Sequence, residues 1–140
     1  MLQNALREDA LSEMGGSYEL RVGLPWIRSM PLSSIGSLAV EVDGQAAGEE
    51  LRVRLGAREV RPENLATERG WWFIQDRLVL VFPAGRLAGD RGRHRVAVDF
   101  QLMVPYLQGG PEGPLVLPFH LEAALRTTRP ALAGVARDVA

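Results

Sequence analysis

Alternation of apolar and polar side chains with a period of two governs most of this chain between residues 18 and 104. Tyr18-Glu19-Leu20-Arg21-Val22 alternates, as do Leu38-Ala39-Val40-Glu41-Val42 and Leu51-Arg52-Val53-Arg54-Leu55. Successive strand side chains point to opposite faces, so each segment buries one face and wets the other. Arg77-Leu78-Val79-Leu80-Val81-Phe82 is apolar nearly throughout, the pattern of a central strand covered on both sides. The longest candidate, residues 94–106, places Val96, Val98, Phe100, Leu102 and Val104 on one face and Arg95, Asp99 and Gln101 on the other. Turns separate these segments at Asp43-Gly44, Pro83-Ala84-Gly85 and Gly89-Asp90-Arg91-Gly92, and residues 109–114 read as a longer loop. Short strands so punctuated predict one all-β domain over residues 1–140, an antiparallel immunoglobulin-like β-sandwich. Helix signals are few. Residues 64–68 suit a single turn starting near Pro62, and residues 1–14 have a helix-friendly composition. Residues 1–14 and 131–140 read as peripheral or frayed.

What the chain lacks restricts its chemistry. It has no cysteine, and all 16 of its basic residues are arginine, against 17 acidic ones. Thiol catalysis, thiolate metal sites, lysine Schiff bases and phosphate loops of the Gly-Lys-Ser/Thr type are therefore excluded. A net charge of −1 gives no field to attract nucleic acid or an anionic membrane. No apolar run approaches the ~20 residues of a membrane helix. The first fourteen residues carry Arg7, Glu8, Asp9 and Glu13, which leaves no secretion signal there, so the expected location is cytoplasmic.

Candidate catalytic groups are scattered. His120 and Glu122 share a strand face and, with His94, could offer two nitrogens and a carboxylate to a metal, but nothing in the sequence brings His94 to them. His120 reads better as a lone polar residue at a strand end. Asp76, Asp99 and Glu122 lie in apolar surroundings, yet alternation puts Asp99 on the wet face, where a carboxylate is simply solvated. Arg86, Arg91, Arg93 and Arg95 make a local basic stretch without the interleaved aromatics of a base-stacking surface. Arg52 and Arg54 share a face and are expected to pair with Glu49, Glu50 or Glu41. No catalytic or metal-binding residue is assigned.

Apolar residues at loop positions carry more information. Trp26, Ile27, Arg28 and Met30 lie between Pro25 and Pro31, whose fixed φ angles favour an extended connection over a helix. Trp, Met and Arg are enriched at the centres of protein interfaces. Trp71-Trp72-Phe73 and Pro105-Tyr106-Leu107 are two further clusters. On a strand Trp72 faces opposite to Trp71 and Phe73, so a large ring seeks cover outside one core face. Trp26, Ile27, Arg28, Met30, Pro31, Trp72 and Tyr106 are the expected partner contacts.

Residues 21–35, RVGLPWIRSMPLSSI, followed by Leu38-Ala39-Val40-Glu41-Val42-Asp43-Gly44, resemble the RLPYYRGLPLSMI…VxVDG stretch of C-glycoside deglycosidase β subunits. The likeness continues in order through Trp72, residues 78–81, Leu87, Gly89, residues 94–98 and Pro105-Tyr106, covering roughly residues 7–122. Trp26-Ile27 stands where the family has Tyr-Tyr, and Ser29 where it has Gly, differences that bear on substrate or interface. The resemblance implies an accessory subunit whose partner, a barrel-type α subunit, holds a divalent metal of the Mn or Mg type and the acid–base residues. It also implies a hetero-oligomer that cleaves the carbon–carbon bond of 3-oxo-C-glycosides such as those of flavonoids. Two other classes fit the residues: a stand-alone carbohydrate-binding or protein-interaction sandwich using Trp26, Trp71 or Trp72, and a small enzyme using His120, Glu122 and Asp99.

Overall fold

A computed structural model describes residues 5–110, 113–128 and 137–139, with the side chains of residues 105–110 and 137 outside that description. Twelve strands are found there: β1 Leu11–Met14, β2 Ser17–Gly23, β3 Met30–Pro31, β4 Ile35–Val42, β5 Gln45–Ala46, β6 Arg52–Leu55, β7 Arg58–Val60, β8 Trp71–Trp72, β9 Asp76–Pro83, β10 Arg93–Gly110, β11 Gly113–Arg126 and β12 Arg137–Asp138. Short 3-10 turns punctuate them, and the turn expected from Pro62 runs over Pro62–Thr67.

One sheet has the order β1-β2-β9-β6-β7, with β12 parallel on β9; the other has the order β11-β10-β4-β5. Apart from an isolated parallel bridge between Ser12 and Thr128, every other pairing in these two sheets is antiparallel among the described residues. The inner faces meet in one core, with Tyr18, Leu20, Val22, Val53, Leu78 and Leu80 from the first sheet and Val40, Val42, Val96, Val98, Phe100 and Leu102 from the second. This is an all-β antiparallel sandwich.

Local sequence explains the main features. Strand β9 is buried along nearly its whole length because β2 and β6 flank it and both its faces are covered. The Asp43-Gly44 turn has φ values of 51° and 79°, the left-handed pair that a two-residue hairpin requires. Strand β4 is bulged: Asp99 faces Ala39 but Gln101 faces Gly36, and Ser37 takes a φ of 53°. The extra residue shifts the alternation, so Ile35 and Val40 both turn inward although they are five positions apart.

Several expectations are corrected. Residues 5–14 are not peripheral: Ala5, Ala10 and Leu11 are buried, and β1 pairs with β2 from Leu11↔Leu20 to Met14↔Ser17. Pairing on an open sheet edge outweighs a weak helical propensity. At the other end, Arg137–Asp138 is pinned on β9 and Val139 is buried, whereas residues 131–136 lie outside the described part. Gly109 and Gly110 belong to β10 rather than to a loop. Arg54 pairs with Glu19 at 2.8 Å and Glu59 at 3.6 Å, not with Glu41, while Arg52 donates to the carbonyls of Glu49 and Leu51. The Arg54 hydrogen bond holds the Glu19 carboxyl below its usual range against the opposing effect of burial.

His94 is buried where strand β10 enters the core. Its Nδ1 lies 2.7 Å from Asp43 Oδ2 and its Nε2 lies 3.0 Å from the Asp90 carbonyl, so both ring nitrogens face acceptors. Asp43 Oδ1 also accepts the Arg95 N–H at 2.8 Å. Burial pushes the imidazole pKa down, but the bonds to Asp43 and Asp90 outweigh it and raise it overall. The His94 bond, then the Arg95 N–H, lowers that of Asp43. Beside the ring, burial and then Glu13, Asp43 and Asp90 push the Tyr18 hydroxyl up to about 12. A raised histidine pKa stabilises the fold fully below the unfolded value of about 6.5, and that contribution fades as pH rises through the folded value. The lowered Asp43 stabilises above about 3.9 and loses its effect as pH falls through the folded value. The stability gap between wild type and Asp43→Asn should therefore be widest between those limits and narrow above neutrality. An NMR titration in which wild-type His94 titrates below an ordinary histidine would refute this account.

Candidate functional site

The two apolar loop clusters of the sequence are joined in space. Strand β3 pairs with β8, Met30 opposite Trp72 and Pro31 opposite Trp71, and Ser29 Oγ accepts the Ile74 N–H at 2.8 Å. Leu32 N–H donates to the Gly70 carbonyl, and a Cβ on Gly70 would meet Leu32 Cδ1 at 3.1 Å, so a residue without a side chain suits this crossing. Two segments far apart in sequence thus become one stitched surface.

Alternation across the β3–β8 pair decides which rings face in. Met30 and Trp72 are fully buried, with the Trp72 indole N–H on the Asp76 carbonyl at 3.2 Å and its ring 5.8 Å from that of Phe100. Neither of these two expected contact residues has an exposed side chain in this chain; their neighbours on the other face are exposed instead. Trp71 and Phe73 are 47% and 44% exposed and stack at 6.5 Å and 21°, while Ile27 and Ile74 are 59% and 50% exposed. Four of the seven exposed large hydrophobic residues among the described ones thus lie on these two loops. Exposed apolar side chains gathered in this way are a feature of interaction surfaces in general. Trp26 is half-buried, its ring 6.5 Å from that of Phe119 in a T-shaped arrangement, Arg28 is exposed and Pro31 is half-buried. Tyr106 lies on β10 with its side chain outside the described part. Phe73 and Trp71 were visible in the sequence as a cluster, but only the register with Met30 tells outside from inside. Ile74 carried no signal beyond its adjacency to that cluster.

The titratable candidates sit elsewhere. His94 is locked to Asp43, whereas His120 lies in mid-strand on the exposed face of β11, its Nδ1 2.6 Å from Asp99 Oδ1. Glu122 lies 3.4 Å from the other His120 nitrogen and also pairs with Arg95. His120 is thus no lone polar residue at a strand end but one member of an exposed ion-pair row. Asp99 is exposed, as alternation requires. Among the described residues no group of three or more His, Asp or Glu is arranged to hold a metal ion.

Comparison with known proteins gives this surface its context. Residues 3–106 match the family of C-glycoside deglycosidase beta subunits. The chain belongs to that family. It is 40% identical over 96 residues to the C-glycoside deglycosidase beta subunit of Arthrobacter globiformis, an overlap covering 66% of this chain and 71% of that protein. It is 34% identical over 113 residues to the 3'-dehydrocarminate deglycosidase beta subunit of a Microbacterium species, covering 76% and 77% of the two chains. A third relative, the C-glycoside deglycosidase beta subunit of Microbacterium trichothecenolyticum, is 33% identical over 108 residues, 75% of this chain and 76% of that one. A beta subunit by name has a partner subunit. The loops that form the apolar face, residues 24–32 and 70–76, fall inside the matched region. No helix among the described residues is long and apolar enough to cross a membrane.

Proposed function

We propose that this chain is the accessory subunit of a cytoplasmic, heteromeric C-glycoside deglycosidase, docking through Ile27, Arg28, Trp71, Phe73 and Ile74 onto a barrel-type α subunit. Its family membership, together with an exposed apolar face that the fold stitches from two separate loops, carries the reading. In this reading the complex cleaves the carbon–carbon bond of 3-oxo-C-glycosides, with flavonoid C-glycosides as candidate substrates. The divalent metal, of the Mn or Mg type, and the acid–base groups belong to the α subunit. The work of this chain is to bind and hold. Large apolar and aromatic side chains at the centre of a desolvated contact supply most of the affinity of such an interface, with Arg28 contributing charge and planar hydrogen bonding.

Co-expression with a barrel-type candidate α subunit tests the reading. A tagged copy of this chain is expected to retain the barrel protein through size-exclusion chromatography at constant stoichiometry. Elution of the two as separate species at micromolar concentration would end the proposal.

A further inference from the structure

Charges on the outer face of β10 and β11 pair off along the two strands until the row reaches its end. Asp99 Oδ1 lies 2.6 Å from His120 Nδ1, Glu122 lies 3.4 Å from the other nitrogen of that ring, and Arg95 Nη1 donates to Glu122 Oε2. One step further along the same face, Arg93 stands directly opposite Arg126, and both are exposed. Like charges opposed across neighbouring strands destabilise a sheet. No carboxylate among the described residues offsets that repulsion. Arg93 Nη1 donates to the Ala124 carbonyl at 3.2 Å, and neither Arg126 nor the exposed Arg91 has an ion-pair partner among the described residues. Carboxylates do lie at this end of the sandwich, but each is committed elsewhere. Asp43 holds His94 and the Arg95 N–H, Asp90 accepts the Gly92 N–H at 2.9 Å, and both oxygens of Glu13 accept the Gly89 N–H. By contrast, Arg21, Arg54, Arg58, Arg77 and Arg95 each meet a carboxylate at 3.0 Å or closer.

We infer that Arg93 and Arg126, with Arg91 beside them in the chain, dock an acidic protein segment that supplies the carboxylates this row lacks. An extended segment sets alternate side chains on one face about 7 Å apart, the same spacing that separates successive outward residues of β10. Each guanidinium can then take a carboxylate through two parallel N–H donors. Nucleic acid is the poorer fit. Residues 86–97 and 120–128 contain no Phe, Trp or Tyr for base stacking, and a net charge of −1 gives no field to gather a long polyanion. The surface is also separate from the apolar docking face. Arg93 lies seven positions along β10 from Phe100, on which Trp72 packs, or about 23 Å of strand. The inference therefore goes beyond the accessory-subunit reading and does not depend on it.

Fluorescence anisotropy of the full chain with labelled hexaglutamate, hexaglutamine and hexathymidylate provides the test, at about 50 mM salt where exposed charges are weakly screened. Hexaglutamate is expected to saturate the chain below about 1 mM and to bind at least about tenfold more tightly than hexaglutamine. Replacing both Arg93→Gln and Arg126→Gln should weaken hexaglutamate by at least about tenfold. Arg61→Gln with Arg69→Gln removes the same charge at exposed positions elsewhere and should change its affinity by about twofold or less. All four side chains are exposed, so both double variants should keep the fold, which thermal unfolding checks. The inference is overturned if hexaglutamate does not saturate the chain by about 1 mM, or if the two double variants bind it alike. Tighter binding of hexathymidylate than of hexaglutamate would equally overturn it, by making the patch a nucleic-acid surface.

Discussion

Replacing Ile27 and Ile74 together by Asp should leave the fold intact and abolish capture of the proposed α subunit. Both side chains are at least half exposed. Substitutions of that kind away from the core change stability by about 0.5 kcal/mol or less each. At an interface the same change places a charge in a desolvated apolar contact, where a central residue contributes about 2 kcal/mol or more. Two such losses correspond to roughly a thousandfold in affinity. Thermal unfolding and size-exclusion co-elution, run on the same preparations, read the two effects separately. Unchanged co-elution of the double variant would place the docking face elsewhere on the molecule.

Trp72→Ala should have the largest effect on stability, with Trp71→Ala as its neighbouring control. Trp72 is fully buried against Phe100, and its indole N–H satisfies the Asp76 carbonyl. Removing a buried Trp costs about 3–5 kcal/mol, a large part of the roughly 5–15 kcal/mol that holds a domain of this size together. Trp71 is 47% exposed and contacts Phe73, so its removal should cost about 1 kcal/mol or less in urea unfolding while weakening partner capture. Equal destabilisation by the two substitutions would contradict the inside–outside assignment on which the docking face depends.

The strands were legible because alternation reports a face directly. Residues 18–22, 51–55 and 94–104 place their apolar sets inward as their spacing requires, and β9 is central as its continuous apolar run implies. Legibility ended where tertiary pairing, not local pattern, decides. Residues 11–14 are a strand because β2 offers them an open edge. The choice of Trp72 over Trp71 needed the cross-strand partner Met30, which lies forty-two residues away and which no local rule identifies. The bulge at Ser37 breaks the period of two that would otherwise place Ile35 outward.

Reconstitution of activity tests the central claim most directly. The barrel-type subunit is assayed for aglycone release from a 3-oxo-C-glycoside, alone and with an equimolar amount of this chain. Carbon–carbon cleavage is expected only in the mixture, or at least about tenfold faster there, equivalent to about 1.4 kcal/mol at the transition state. The Ile27→Asp, Ile74→Asp chain should fail to restore it. Full activity of the barrel subunit alone, unchanged by adding the wild-type chain, would contradict the account.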